Sequence, residues 1–414
     1  MFNLVGDVSS AARILPDLNG EALFISHAKG AYLWDDKGRK YIDTALGFGA
    51  VLVGHADDDI NSEVAQALGG SASPSWAHIR EHGAASALAA HTGNLTKVVF
   101  NNSGSEAVHL ACRIARTYTG KGKIAKMAAG FDGWLDDVAF GNVSTQEAAF
   151  KDGERPSTPR TTLLRFNDFD DVERLFQEDK DIAAVILEPM LANAGCIMAS
   201  PGYLQHVQNV ARKHGALVIS DEVLMGFRRH AGLASHLEGL DPDLASVGKA
   251  IGNGIPVSAV VGKAEVMAVV EAGRAARGGT FSGNPMACAA VTSTLAKLDA
   301  ADYEALTARG DKLRESIIDT FKGAGITVTT SGYGNVFGIW LGDKEPRNYE
   351  EAAKLANPAF TKSLHLALRE AGLMIMPSPY GRLYISFEHS PEVIEEMKAA
   401  FKYAAAKLAG DYAK

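Results

Sequence analysis

The sequence predicts an α/β fold in which a large, mostly parallel sheet covered by helices is followed by a smaller α+β unit. Two observations carry that expectation. From about residue 57 to 300, helical stretches alternate with short apolar runs, at Lys97 to Phe100, Ala183 to Leu187, Leu217 to Ser220, Leu244 to Val247 and Val257 to Val261. Alternation of this kind builds parallel strands joined by helical crossovers. After about Ala301 the helical stretches Tyr303 to Ala324 and Phe360 to Ala371 are interleaved with the runs Thr327 to Thr330, Val336 to Leu341 and Leu383 to Phe387. The expected division is an N-terminal segment over 1–56, a large unit over 57–300 and a C-terminal unit over 301–414.

Taken in order, Ala31 to Trp34 and Lys40 to Asp43 flank Asp35-Asp-Lys-Gly38, the turn chemistry of a β-hairpin. Next, Lys97-Val-Val-Phe-Asn-Asn-Ser-Gly-Ser-Glu-Ala107 reads as a strand, a Ser-Gly-Ser turn and an amphipathic helix running to about Thr119. Backbone N–H groups at that helix start, with the hydroxyls of Ser103 and Ser105, form a phosphate cradle. Either serine serves equally well as a simple helix cap, with Glu106 favourable in the first turn. Phe131-Asp-Gly-Trp134 sets an aromatic beside Gly133, a place for a flat ring to stack. Ala216-Leu-Val-Ile-Ser-Asp-Glu-Val223 is a buried-strand pattern that delivers Asp221 at its end. Leu244 to Pro256 closes another such strand with Lys249, followed by glycines and a proline. Gly278-Gly-Thr-Phe-Ser-Gly-Asn-Pro285 is a small-residue loop before a helix opening at about Met286, and it offers Thr280.

An amine and a carboxylate at neighbouring strand ends point to pyridoxal phosphate chemistry. The lysine forms a Schiff base with the cofactor aldehyde, and the aspartate keeps the pyridine nitrogen protonated so that the ring accepts electrons. Read singly, Lys249 is a surface lysine after a strand and Asp221 a helix cap. The ordered set, with its ligands beyond strand carboxyl ends where open α/β sheets bind them, favours the cofactor.

Composition fits a large enzyme. The chain has 414 residues, 47% of them apolar, enough for a sizeable core in two domains. No apolar run approaches the ~20 residues of a membrane span, and the start lacks a charged-then-apolar signal pattern, so a cytoplasmic location is expected. A net charge of -8 with no basic block argues against a nucleic-acid surface. Cys112, Cys196 and Cys288 show no Cys-x-x-Cys spacing, and the 12 histidines are scattered, so no metal site is expected.

With these motifs on the page, the chain resembles the fold-type-I, class III pyridoxal-phosphate aminotransferases. The likeness runs from Gly30 to Asp43, through Gly54-His55, to Ser386-Phe-Glu-His389. Within the family it is most similar to the glutamate-1-semialdehyde aminomutase branch. Glu188-Pro-Met-Leu-Ala-Asn-Ala-Gly195 carries Asn193 where other branches place a glutamate, and Asp221 to Arg228 and Pro377 to Tyr380 match as well.

The resemblance implies pyridoxal 5'-phosphate as cofactor, Lys249 as the Schiff-base lysine and Asp221 as partner of the pyridine nitrogen. It implies Ser103, Gly104 and Ser105 as the phosphate loop, Phe131 beside Gly133 as the stacking aromatic, Val223 on the other ring face and Asn193 near the ring hydroxyl. It also implies a homodimer with shared active sites, Thr280 reaching the phosphate in the neighbouring subunit. Two departures stand out. Asp132 replaces the usual histidine after the stacking aromatic, and Gly381-Arg382 replaces the glutamate that aminomutases carry after the Pro-Ser-Pro-aromatic stretch.

The expected activity is therefore transfer of an amino group between an amino acid or amine and an oxo acid, with the aminomutase or another isomerase as the alternative. Arg382, Arg228 and Arg80 are the candidates for binding a substrate carboxylate through bidentate contacts. A P-loop reading fails on order, because there Lys-Ser/Thr follows the glycines and here Gly-Asn-Gly follows Lys249. A binding module that retains the cofactor without turnover is the remaining rival.

Overall fold

Strands of the central sheet lie in the order Lys97–Asn101, Ser258–Gly262, Leu244–Gly248, Leu217–Glu222, Ile182–Leu187, Lys123–Met127 and Thr161–Leu164. The computed structural model that gives this order describes residues 3–18, 20–150 and 154–413. Neighbouring strands run parallel except at Ser258–Gly262, which is antiparallel to both Leu244–Gly248 and Lys97–Asn101. The exception has a simple cause. The connection from Gly248 to Ser258 holds only the short turn Lys249–Gly252 and a few residues more, too little chain for the crossover that a parallel return requires.

Two strands of this sheet lie outside the apolar runs of the sequence. Lys123–Met127 contains two lysines, and Thr161–Leu164 begins with threonines, yet Lys126, Thr161 and Thr162 are all buried. Helices cover both faces. Gly104–Thr119 packs Ala107, Val108, Ala111, Ile114 and Ala115 against Ile124, Ala184, Ile186, Ile219 and Val260 on one side. Tyr203–Lys213 and Phe169–Glu178 cover the other through Val207, Ala211, Val172 and Phe176. Each such fully buried aliphatic or aromatic side chain contributes about 1.5–3 kcal/mol relative to exposure.

The hairpin foreseen near Asp35-Gly38 forms between Tyr32–Asp35 and Lys40–Asp43, with Ile25–Lys29 as an outer strand. Its inner edge pairs in parallel with Leu373–Met374, so the N-terminal strands share a four-stranded sheet with the C-terminal part of the chain. A further three-stranded sheet joins Val328–Tyr333, Val336–Leu341 and Arg382–Tyr384. Alternation along the last strand turns Leu383 into the hydrophobic core and puts Arg382 and Tyr384 together on the other face. The backbone N–H of Tyr384 also donates to the carbonyl of Thr44, which ties this strand to the segment after the hairpin. Among the described residues, no helix is long and apolar enough to cross a membrane.

Candidate active site

A cleft of about 140 Å³ opens at the carboxyl ends of the parallel strands, and Gly104, Ser105, Phe131, Asp132, Gly133, Glu188, Asn193, Asp221, Val223 and Lys249 are among its lining residues. The fold delivers each from its own element. Lys249 follows the wholly buried strand Leu244–Gly248 and takes a left-handed backbone, φ 48, in the short turn that reverses the chain. Burial, and next the nearby charge of Arg382, push its amine down to about 8. Asp221 is the penultimate residue of the adjacent strand Leu217–Glu222. Its Oδ1 accepts from the backbone N–H of Val223 at 2.9 Å and from the Ser246 hydroxyl at 3.0 Å, which leaves Oδ2 for a ligand. Glu222, one residue on, points to the opposite side and caps Ala234–Leu237 by accepting from the N–H groups of Ala234 and Ser235.

At the helix Gly104–Thr119 a capping box is complete: the Ser103 hydroxyl accepts from the Glu106 N–H, and the Glu106 carboxylate accepts from the Ser103 N–H. Ser103 is therefore the exposed cap, while Gly104 and Ser105 face the cleft. Both glycines of the cradle are sterically required. A Cβ on Gly104 would lie 2.8 Å from Val223 Cγ1, and one on Gly133, where φ is +105°, would lie 2.8 Å from Ser105 Oγ.

Two acidic residues of the cleft escaped the sequence reading as site residues. Glu188 directly follows the apolar strand Ile182–Leu187, much as Asp221 lies at the close of its own, and that parallel was the available signal. Its Oε1 accepts from the Phe131 N–H at 3.1 Å, and burial, followed by the charge of Asp132, pushes its carboxyl up to about 7. Asp132 is buried and paired with Lys126 at 2.8 Å. Asp221 is raised well above the usual carboxylate range, by burial first and then by Asp132 and Glu188.

The three arginines separate. Arg382 is half-buried, its Nε donates to the Tyr384 hydroxyl, and its charge is felt at both Lys249 and Glu188. Arg228 is fully buried behind it, over the Tyr384 ring at 4.7 Å, with Nη2 donating to the Gly49 carbonyl and Nε and Nη1 without partners among the described residues. Burial pushes Arg228 down to about 10. Neither makes a salt bridge among the described residues, whereas Arg80 pairs with Glu63 and Gln66 in a separate surface cleft beside Ile79 and Cys288. Thr280 lies on an exposed loop.

The aminotransferase class-III family pattern matches residues 17–401. The chain belongs to the class III aminotransferases. It is 35% identical to the glutamate-1-semialdehyde 2,1-aminomutase of Polynucleobacter necessarius subsp. necessarius (strain STIR1), over 97% of this chain and 96% of that protein. Among solved structures it superposes on an omega-transaminase from Sphaerobacter thermophilus with a TM-score of 0.86 and 31% identity, covering 99% of this chain and 100% of that one. A β-phenylalanine aminotransferase from Variovorax paradoxus gives a TM-score of 0.88 at 25% identity, covering 100% and 93%. The fold is thus that of the fold-type-I pyridoxal-phosphate enzymes, and the cofactor of this class III enzyme is pyridoxal 5'-phosphate. The donor set fits that cofactor: an amine of lowered basicity, a buried carboxylate with one oxygen free, and a glycine cradle at a helix N-terminus.

Proposed function

We propose that this chain is an aminotransferase that moves an amino group between an amino acid or amine and an oxo acid. The observation that carries the reading is Arg382, a guanidinium beside Lys249 and Glu188 with no salt bridge among the described residues, where aminomutases carry a glutamate close by. A half-buried arginine without a carboxylate partner is matched to a substrate that brings one.

When bound, pyridoxal phosphate supplies an aldehyde to amines and an electron sink to the carbon that loses its proton. Lys249 would hold the cofactor and, once displaced, move that proton. With its amine at about 8, roughly a tenth is neutral at pH 7. Asp221 would keep the ring nitrogen protonated through Oδ2. Gly104 and Ser105, at the N-terminus capped by Ser103, would receive the phosphate, Phe131 and Val223 would hold the ring faces, and Asn193 would meet the ring hydroxyl. Arg382 would orient the substrate carboxylate, with Arg228 supporting it through Tyr384.

The reading includes a homodimer in which Thr280 completes the neighbour's phosphate site. It is supported by the exposed apolar side chains Trp76, Ile79 and Phe281, the last of them next to Thr280 in sequence. The chain divides in this reading at about residues 56 and 300.

The 35% identity with a 2,1-aminomutase favours a second reading, isomerisation of glutamate-1-semialdehyde. Assays decide between them. Transamination coupled to pyruvate or 2-oxoglutarate across α-, β- and ω-amino acids is expected to give turnover, whereas robust conversion of glutamate-1-semialdehyde to 5-aminolevulinate would overturn the aminotransferase reading.

A further inference from the structure

Asp132 has no part in the chemistry above, although it lines the cleft. Its Oδ2 accepts from Lys126 Nζ at 2.8 Å, and Oδ1 is buried with no hydrogen bond among the described residues. Lys126, fully buried, also donates to the Gly130 carbonyl at 2.9 Å and to Asn142 Oδ1 at 2.6 Å. Asn142 in turn donates to the Gly133 carbonyl at 2.9 Å. This network ties down the backbone on both sides of Phe131.

Scaffolding alone does not account for the carboxylate. Lys126 and Asn142 hold the loop through neutral carbonyls, and burying an ion pair is costly compared with a neutral arrangement of similar shape. What Asp132 adds is a negative charge at the wall shared with Asp221 and Glu188. A Cβ on Gly130 would lie 3.2 Å from Asp132 Oδ2 and 3.7 Å from Glu188 Oε1, which shows how near the two carboxylates approach. The other charged groups here are Lys249 after the strand Leu244–Gly248 and Arg382 on the C-terminal strand.

We propose that Asp132 is a positioning residue for charge. With Asp221 it forms a two-carboxylate field that holds the proton on the cofactor's ring nitrogen, and Lys126 moderates that field. Two anions disfavour each other when the site holds no cation, and both stabilise a cation placed between them and the cleft. The inference rests on Asp221 facing the ring nitrogen.

The test is a pH titration of the ring-nitrogen proton itself, read by nitrogen NMR of the purified holo-protein loaded with pyridoxal phosphate isotopically labelled at the ring nitrogen. Asp132→Asn removes one of the two carboxylate charges beside the ring, so the midpoint should fall by on the order of one pH unit. Asp132→Asn combined with Lys126→Met removes both charges and should return most of that shift. Asn142→Ala loosens the loop without changing charge and should leave the midpoint in place. Should Asp132→Asn not fold, Asp132→His takes its place with the same expected fall, and Asp132→Glu should keep the wild-type midpoint. The inference is overturned by an unmoved midpoint in Asp132→Asn, by a double variant no nearer wild type than the single, or by an equal shift in Asn142→Ala. Asp221→Asn separates the two levels. If it moves the midpoint and Asp132→Asn does not, only this inference fails; if it does not, the role given to Asp221 fails and takes the inference with it.

Discussion

Lys249 follows a strand buried along its whole length and Asp221 lies in one buried in all but its first residue, whereas Arg382 begins a strand of three residues and is steadied by the hydroxyl of Tyr384. The floor of the cleft is held by sheet pairing and backbone hydrogen bonds, such as that from Val223 N–H to Asp221. Its C-terminal wall is held by side chains: Arg382 on the Tyr384 hydroxyl, and Arg228 on the ring of Tyr384 and the Gly49 carbonyl. The difference teaches where each part of the function belongs. Cofactor chemistry, which needs fixed geometry, sits on the floor, and the choice of substrate sits on a wall that can change by single side chains.

Variants should grade along that division. Lys249→Ala should give the largest effect, abolishing turnover and covalent retention of the cofactor. Asp221→Asn should lower turnover on the order of 10²-fold or more while the cofactor stays bound, since the phosphate cradle is untouched; near-normal turnover would remove Asp221 from the chemistry. Arg382→Ala should cost roughly 1.5–3 kcal/mol in kcat/KM for carboxylate substrates, about one to two powers of ten, and leave simple amines little affected. Equal losses for both substrate kinds would make Arg382 structural. Arg80→Ala should change neither kind by more than about twofold, as expected of a surface residue away from the cleft.

A pH experiment sharpens the floor side. The neutral amine of Lys249 is the reactive form, and its basicity is lowered by burial and by Arg382. The rate at which apo-protein captures pyridoxal phosphate should therefore rise with pH and level off above about 8. In Arg382→Ala, where one nearby cation is gone, the midpoint should move upward. A wild-type midpoint near that of an ordinary lysine would contradict the burial argument.

The same division governs what the sequence revealed. Leu217–Glu222 and Leu244–Gly248 are apolar until a charged residue ends or follows them, so both the strands and Asp221 and Lys249 were legible together. The strand Lys123–Met127 was not, because Lys126 looks like a surface residue until Asp132, six positions later, folds back to pair with it. Glu188 opens the motif Glu188 to Gly195, but nothing local marks it as a wall of the cleft, since its contact is with the backbone of Phe131, far along the chain. Of the three arginines, the departure after Pro377 to Tyr380 set Arg382 apart in the sequence, whereas only tertiary contacts show that Arg80 lies on the surface and that Arg228, next to Arg229, is buried.

The most direct test of the central claim is borohydride reduction of the holo-protein followed by peptide mapping. The reduced cofactor is expected on the peptide containing Lys249, and on no other. A label on a different lysine, or none at all on a protein that still turns over amines, would contradict it.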